Sequence, residues 1–361
     1  PTQSLRGKTL IESNFSGKLE DAKQWSFDGS STEQAEGNDS DCLLQPVAVY
    51  PDPGRFGGNG WLVMCEVLNA DGSAGVNNYR DQATKVYAEC KDKQPMFGIE
   101  QEYTLFSGHN PLGWQNGGYA PTQGPFYCGV GFDEEFGTEI VNEHMMACLD
   151  AGLLWCGKNG EVMPGQWEFQ VGAGDPLTVS DDLWLARFLL FKVAAKYQVN
   201  AKLNPKPHPD LNGAGAHTNF STAEMRADGG FEACCEAATR LGSSVAWKSP
   251  ISDEPKNPEK DESVHTSTFP EEYGTSYKQR LTGEHETCSW EEFKWGVADR
   301  TASIRVPLHV AKEGKGYIED RRPCADIDPY RVVSYIMTAT CLEDSRVRVG
   351  ATGEYSKTGQ N

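Results

Sequence analysis

Two glutamates stand two residues apart in GIEQEYTLF, residues 98–106, and their types and spacing could do chemistry. Ile99, Tyr103, Thr104, Leu105 and Phe106 suit a pleated, half-buried surface. Side chains two apart in a strand leave from the same face, so Glu100 and Glu102 stand side by side. Like charges repel, and burying an ionised carboxylate without a partner is costly. Cations between and around the two carboxylates would remove both penalties.

Other strand-like runs repeat the pattern. In QWEFQVG, Trp167, Phe169 and Val171 point one way and Glu168 and Gln170 the other. In AHTNFST, His217, Asn219 and Ser221 share a face. Ser303 and Arg305 lie opposite Ala302, Ile304 and Val306, and Tyr317, Glu319 and Arg321 align in GYIEDRRP. An amphipathic strand ordinarily turns its polar side to water. Here several such faces are rich in Glu, His and Arg and poor in Lys. Arginine suits planar, two-point recognition of carboxylate or phosphate. A sheet lined by Glu at one end and Arg at the other would hold divalent cations and a polyphosphate together. Glu100, Glu102, Glu161, Glu168 and Glu319 with His217 supply mostly oxygen donors plus one imidazole, which suits Mg²⁺ or Mn²⁺ better than structural zinc.

The elements that must position these residues follow from pattern and caps. Residues 1–76 are rich in Gly, Pro and Asp, with strand-like runs at 42–50 and 60–68, and read as a small sheet with long loops. A helical stretch near 78–92 marks a domain boundary. From residue 95 strands and helices alternate. Helices are expected at 134–153, at 180–199 with Ser180 as N-cap and Asp181 and Asp182 in the first turn, and at 222–241, weakened by Gly229 and Gly230. A further helix begins at DPYRVVSYIMTATCL, with Asp328 as cap and Pro329 in the first position. Strands are expected at 98–106, 166–171, 215–221, 301–306 and 316–321. Residues 243–264, with three prolines, read as an exposed loop insertion and 344–361 as a polar tail. His144 has no partner in the chemical pattern and is placed on a helix surface.

The chain has 361 residues, of which 38% are hydrophobic, enough for a large domain plus a smaller one. A net charge of −19 argues against nucleic acid or an anionic membrane as the main partner. The eleven cysteines show no C-x-x-C pair, and free thiols in a reducing compartment are expected. There is no run of about 18 apolar residues and no signal-like start. The start at Pro1 reads as a processed or missing N-terminus.

FDGSST (27–32), GIEQEYTLF, QGPFYCGVG (123–131), EVMPGQWEFQVG (161–172), NGAGAHTNFST (212–222), RLTGEHET (280–287), SIRVP (303–307) and YIEDRRP (317–323) closely resemble glutamine synthetase of the eukaryotic type. The resemblance runs in order over nearly the whole chain. It implies an α+β fold: a small N-terminal β-grasp-like domain at 1–77, lacking its first strand, and a larger catalytic domain at 78–361 with a curved antiparallel sheet flanked by helices. It implies ATP-dependent ligation of ammonia to glutamate through a γ-glutamyl phosphate. Glu102, Glu161 and Glu168 would hold one cation, and Glu100, His217 and Glu319 a second, with two or three Mg²⁺ or Mn²⁺ in all. Arg280 and Arg321, with the Gly213 backbone, Glu161 and His217, would receive glutamate. Arg300 and Arg305, with Tyr317, Asn219 and Ser221, would face ATP. Asp28 would take a proton from ammonium, and Glu286 would close the site.

The implied assembly is a decamer of two stacked five-membered rings with shared active sites, and the implied location is cytoplasmic, with plastid as the alternative. Met96 stands where the family usually has Trp near the nucleotide base, and Asp299 where Asn is usual; Asp299 would weaken phosphate attraction at Arg300 or pair with a neighbouring cation. The competing readings are a non-catalytic relative and a related ATP-dependent ligase using another amine.

Overall fold

The computed structural model describes residues 4–54, 58–114, 123–242, 271–274 and 276–342. The proposed insertion at 243–264 and the tail at 344–361 lie outside the described residues.

The chain begins with a three-stranded antiparallel sheet of β1 (Trp25–Asp28), β2 (Asp41–Pro51) and β3 (Trp61–Leu68), in that order. Strands β2 and β3 coincide with the two runs expected from sequence. Next comes α1 (Tyr79–Cys90), whose N-cap Asn78 accepts from Asp81 N. The larger unit contains β4 (Met96–Ser107), β5 (Asn110–Pro111), α2 (Thr138–Asp150), β6 (Trp155–Gly160), β7 (Gln166–Gly174), α3 (Pro176–Lys196), β8 (Asn200–Lys202) and β9 (Ala216–Ser221). It continues through α4 (Ala223–Arg226), α5 (Phe231–Arg240), α6 (Tyr277–Arg280), β10 (Trp295–Val297), β11 (Ile304–Val306), α7 (Leu308–Glu313), β12 (Ile318–Asp320) and α8 (Pro329–Cys341).

The second sheet runs β10-β11-β12-β9-β4-β7-β6, with β5 and β8 also paired to β4. Every pairing is antiparallel except β10 with β11, so the sheet is mixed at that edge. Its register places Glu102 opposite Glu168, Glu100 opposite both His217 and Gln170, Asn219 opposite Glu319, and Glu319 opposite Arg305. Partners across a ladder share a face, which gathers the polar residues of five strands on one side. The other side carries Ile99, Tyr103, Leu105, Phe169, Val171 and Phe220, all buried in the main core. Helix α3 packs on that side against β4 and β7, and α8 packs against α1 and α3.

Three helix expectations need correction. Helix α3 starts before Ser180: Asp175 caps it through Leu177 N and Thr178 N, and Pro176 takes the first position. Ser180 is buried inside the helix and bonds back to Pro176 O at 2.7 Å. Asp181 and Asp182 are buried in a network. Arg80 grips Asp181 with two bonds of 2.9 Å and also meets Glu66 at 2.9 Å, while Tyr50 and Leu154 N donate to Asp182. That network fastens the small sheet to α1 and α3. His144, expected at a surface, is fully buried between Trp155 and Phe169, with Nε2 2.8 Å from Ala186 O. Burial pushes its pKa down to about 4, so it is neutral. The 222–241 stretch is two helices broken at the glycines. The caps expected for α8 are present: Asp328 accepts from Tyr330 N and Arg331 N, with Pro329 first. All eleven cysteines are free. Among the described residues no helix is long and apolar enough to cross a membrane.

Candidate active site

Strands β4, β7 and β9 bring two sets of metal-type donors together. Glu102, Glu161 and Glu168 form one, and Glu100, Glu168 and His217 the other; within each set the ligand atoms lie within 4.8 Å of one another. Glu168 belongs to both. Strand pairing places four of these residues, and Glu161 comes from the turn between β6 and β7, where Glu161 N bonds to Gln166 O at 2.9 Å. Each carboxylate is steadied by a neutral donor: Gly215 N donates to Glu102 at 2.8 Å, Asn159 to Glu161 at 3.0 Å, Asn219 to Glu100 at 2.8 Å, and Gln170 to Glu168.

The electrostatics follow from burial and crowding that nearby arginines only partly offset. Burial pushes Glu102 up to about 7, although Arg280 opposes the shift. Burial first, then Glu102, pushes Glu161 up to about 8. Burial, then Glu102, Glu100 and Glu161, pushes Glu168 up to about 9. Burial, with Arg321 and Arg280 nearby, holds His217 well below the usual imidazole range, so it is neutral, the form that binds metals. Buried carboxylates that repel one another, beside a neutral imidazole, fit hard divalent cations.

Glu319 sits at the edge of this group. Its Oε1 and Glu100 Oε2 each lie 3.6 Å from His217 Nδ1. Arg321 Nη1 donates to Oε1 at 2.8 Å and Arg305 Nε donates to Oε2, so both oxygens are engaged by guanidiniums. Arg321 also reaches Arg300 O at 3.2 Å and Glu286 O at 3.3 Å. Arg280 is buried, with Nη1 on the carbonyls of Arg321 and Arg322 at 3.1 and 3.2 Å and Nη2 3.0 Å from His217 Nε2. The glycines beside it are dictated by this packing. A Cβ at Gly215 would lie 2.3 Å from Arg280 Nη2, and one at Gly213 would lie 2.8 Å from Arg280 Cγ and Pro205 O. Next to Glu100 opens a cavity of about 460 Å³ lined by Met96, Gln170, Asn219, Ser221, Arg226 and Tyr317 among others.

Both matching family models describe glutamine synthetase. The catalytic domain model covers residues 78–342, and the beta-grasp domain model covers residues 3–70. The chain belongs to the glutamine synthetase family. Its enzyme class is therefore glutamate–ammonia ligase. It is 49% identical to a glutamine synthetase of Streptomyces viridochromogenes over 342 residues, spanning 94% of this chain and 93% of the relative. It is 45% identical to one of Tuber borchii, spanning 93% and 88%, and 46% identical to the cytoplasmic glutamine synthetase 2 of Drosophila melanogaster, spanning 89% and 82%. The relatives thus include bacterial and eukaryotic proteins. The family implies divalent metal and ATP, and its members make glutamine.

Against that family background some sequence-expected residues converge and one does not. Glu286 is exposed, in left-handed backbone at φ 61°, and its charge acts on Glu161. Arg300 is exposed and joins the group through its carbonyl. Asp28 sits at the end of β1 on the small sheet and bonds locally to Ser30 N at 3.0 Å and to the Ser30 and Ser31 hydroxyls at 2.6 Å. These bonds hold its pKa down at about 2. Asp299 pairs with Lys294 at 3.7 Å and accepts from Thr301 N at 2.8 Å. Of the two outcomes expected for it, the structure shows the pairing.

The sequence reading missed several positioning amides. Gln166 is buried and donates to Gly213 O at 2.8 Å, tying β7 to the glycine loop. Gln123 accepts from Asn212 N at 2.7 Å and donates to Asn212 Oδ1 at 3.0 Å. Asn159 bridges Glu161 and Gln170. Of these, Gln166 carried a signal, because it alternates with Glu168 and Gln170 on the polar face of β7.

Proposed function

We propose that the chain ligates ammonia to L-glutamate through a γ-glutamyl phosphate, in a site built on the polar face of the large sheet. The pair of donor sets sharing Glu168 carries this reading. Glu102, Glu161 and Glu168 would hold one Mg²⁺ or Mn²⁺, and Glu100, His217 and Glu319 another, with Glu168 within reach of both. When bound, the cations neutralise charge on the transferring phosphoryl group and polarise it.

A carboxylate is a poor electrophile. Its γ-oxygen attacks the terminal phosphorus of ATP, ADP leaves, and the acyl phosphate becomes open to attack by ammonia, which expels inorganic phosphate. Tyr317, Asn219 and Ser221 line the cavity beside Glu100, which supports ATP binding there. Arg305 and Arg300 would meet its phosphates, and Arg280 and Arg321 the glutamate carboxylates, with the Gly213 backbone beside them. Arg305 and Arg321 now pair with Glu319. Cation binding at Glu319 and anion binding at the arginines would thus proceed as an exchange of partners.

Glu161 and Glu286, whose charges interact, would form part of an ammonium pocket and exclude water from the acyl phosphate. Asp28 completes that pocket as an ionised counter-charge. It takes a proton only after its serine hydrogen bonds are given up, because they favour its charged form. Its side-chain bonds within its own chain are local to the 28–31 turn, which supports its delivery by a neighbouring subunit and hence a ring, a decamer of two stacked pentamers. The division at residues 77 and 78 is supported by the start of α1 at Tyr79. A cytoplasmic setting agrees with the name of the Drosophila relative.

The test supplies ATP, Mg²⁺, ammonium and glutamate labelled with heavy oxygen in its γ-carboxylate. Glutamine should form, and one labelled oxygen should appear in inorganic phosphate. Release of that labelled oxygen into AMP or water, with none in inorganic phosphate, would overturn the phosphate route. Turnover with another amine and not ammonium would identify a related ligase, and ATP binding without turnover a non-catalytic relative.

A further inference from the structure

The glycine loop at 213–215 is bonded at several points to the donor set of Glu102, Glu161 and Glu168. Gly215 N donates to Glu102 Oε2 at 2.8 Å, and Glu102 N donates to Gly215 O at 2.9 Å. Gln166 makes a third link. Its Nε2 donates to Gly213 O at 2.8 Å and lies 3.5 Å from Glu102 Oε2, while its backbone oxygen accepts from Glu161 N at 2.9 Å. One buried residue of β7 thus meets two members of the donor set and the loop. The loop has little freedom to move separately, because Ala214 N donates to Pro205 O at 2.9 Å and Ala325 N donates to Ala214 O at 3.1 Å. The Gly213 carbonyl needs a donor, which fixes the nitrogen end of the Gln166 amide. That orientation leaves Gln166 Oε1 buried with no hydrogen-bond partner among the described residues.

We propose that Gln166 is a positioning residue that couples cation binding at Glu102 and Glu161 to glutamate binding at the glycine loop. The coupling rests on the function proposed above and adds a free-energy link between two of its ligands. Three crowded carboxylates repel one another, and a divalent cation replaces that repulsion with attraction. A shift of Glu102 or Glu161 toward the cation reaches residues 213–215 through the bonds just described. Arg280 packs on the same glycines, with its Cγ 2.8 Å from where a Cβ at Gly213 would stand, so the arginine and the loop move together. Glutamate acts from the other end. Its α-ammonium gives the buried Oε1 a donor and holds the amide in place on Gly213. Coupling between two ligands is reciprocal, so each tightens the other by the same factor. Attraction through space between the cation and the glutamate carboxylates contributes part of that factor, and the Gln166 amide contributes the rest.

Gln123 provides the internal contrast. It steadies the same loop at Asn212, accepting from its N at 2.7 Å and donating to its Oδ1 at 3.0 Å, and among the described residues it bonds to no carboxylate of the donor set. The full chain is titrated with glutamate by calorimetry, without ATP, once with chelator and once with saturating Mn²⁺. In the unmutated chain Mn²⁺ should tighten glutamate by about 10-fold or more, and glutamate should tighten Mn²⁺ by the same factor. Gln166→Met should cut that factor to about threefold or less. Gln166→Asn, which keeps an amide but withdraws it from Gly213, should give the same loss. Gln123→Met should weaken glutamate with and without Mn²⁺ alike and keep the factor of the unmutated chain. Full coupling in both Gln166 variants would overturn the proposal. So would binding of both ligands to the unmutated chain with no coupling, a result that needs no variant to fold and leaves the proposed function standing. Failure of the unmutated chain to bind Mn²⁺ or glutamate would instead remove that function and the coupling with it.

Discussion

Strand β12 sends Asp320 to one side of the large sheet and Glu319 to the other, and the charges they meet differ. Asp320 is completed by the protein: Arg322 donates through N at 3.0 Å, Nε at 2.9 Å and Nη2 at 2.7 Å, and Tyr273 OH at 2.6 Å. On Glu319's side, Arg305 and Arg321 satisfy that one glutamate, but Glu102, Glu161 and Glu168 face mainly amides and one another. The first group is closed and serves packing. The second carries surplus negative charge in a buried place, which nothing among its described neighbours neutralises in full. A buried charge matched by its own chain is structure; a buried surplus is a binding site for something of opposite sign.

The comparison is broken most directly by removing one charge from each group. Glu168→Gln should lower glutamine formation by about 10³-fold or more, because it touches both donor sets. Thermal stability without divalent cation should hold or rise in this variant. Asp320→Asn should do the reverse. It breaks a buried, fully bonded pair, at a cost of about 3–5 kcal/mol of stability, readable as a lower denaturant midpoint, while the folded fraction still binds cation. Equal behaviour of the two variants would erase the distinction.

Gly215→Ala sharpens the comparison from the arginine side. Its Cβ would force Arg280 away from His217, and kcat/KM for glutamate should fall by about 100-fold. Steady-state kinetics with glutamate varied checks this, and a change confined to ATP would contradict it.

A gentler lever is pH. The folded-state pKa values of Glu102, Glu161 and Glu168 are raised above the ordinary 4.5 to about 7, 8 and 9. Between those limits the cation-free folded chain binds more protons than the unfolded chain. The stability these three groups contribute is therefore fully present below about pH 4.5 and is lost as pH rises from there through 7 to 9. Saturating Mg²⁺ favours the deprotonated cage, so the stabilisation it confers should grow over the same window. Melting curves with chelator and with Mg²⁺ report both slopes. The smallest effect is expected of Asp299→Asn. Because Asp299 pairs with Lys294 at a partly exposed position, activity should stay within about twofold.

Much of the site was legible because it is written in strand alternation. Glu100 with Glu102, Glu168 with Gln170, and His217 with Asn219 are period-two pairs, and the sheet register keeps each pair on one face. The α8 start was legible because Asp328 and Pro329 act locally. What escaped was tertiary. Nothing local distinguishes His144 in the core from a histidine at the surface. Asp181 and Asp182 resemble a helix start until Arg80 and Tyr50, distant in sequence, are seen to meet them. Strands β6 and β10 rely on neighbours for their pairing and carry weak patterns, with Gly157 and Gly160 in one and only three residues in the other. The twofold grip of Arg305 and Arg321 on Glu319 depends on the order of strands, which alternation does not encode.

The central claim is that the buried carboxylates of β4 and β7, with Glu161 and His217, form two cation sites that share Glu168. Calorimetric titration of the purified chain with Mn²⁺, beside Glu168→Gln, tests it. The unmutated chain should take up at least two cations with release of protons, and the variant should lose more than about 100-fold in affinity at both. Equal stoichiometry and affinity in the two proteins would contradict the account.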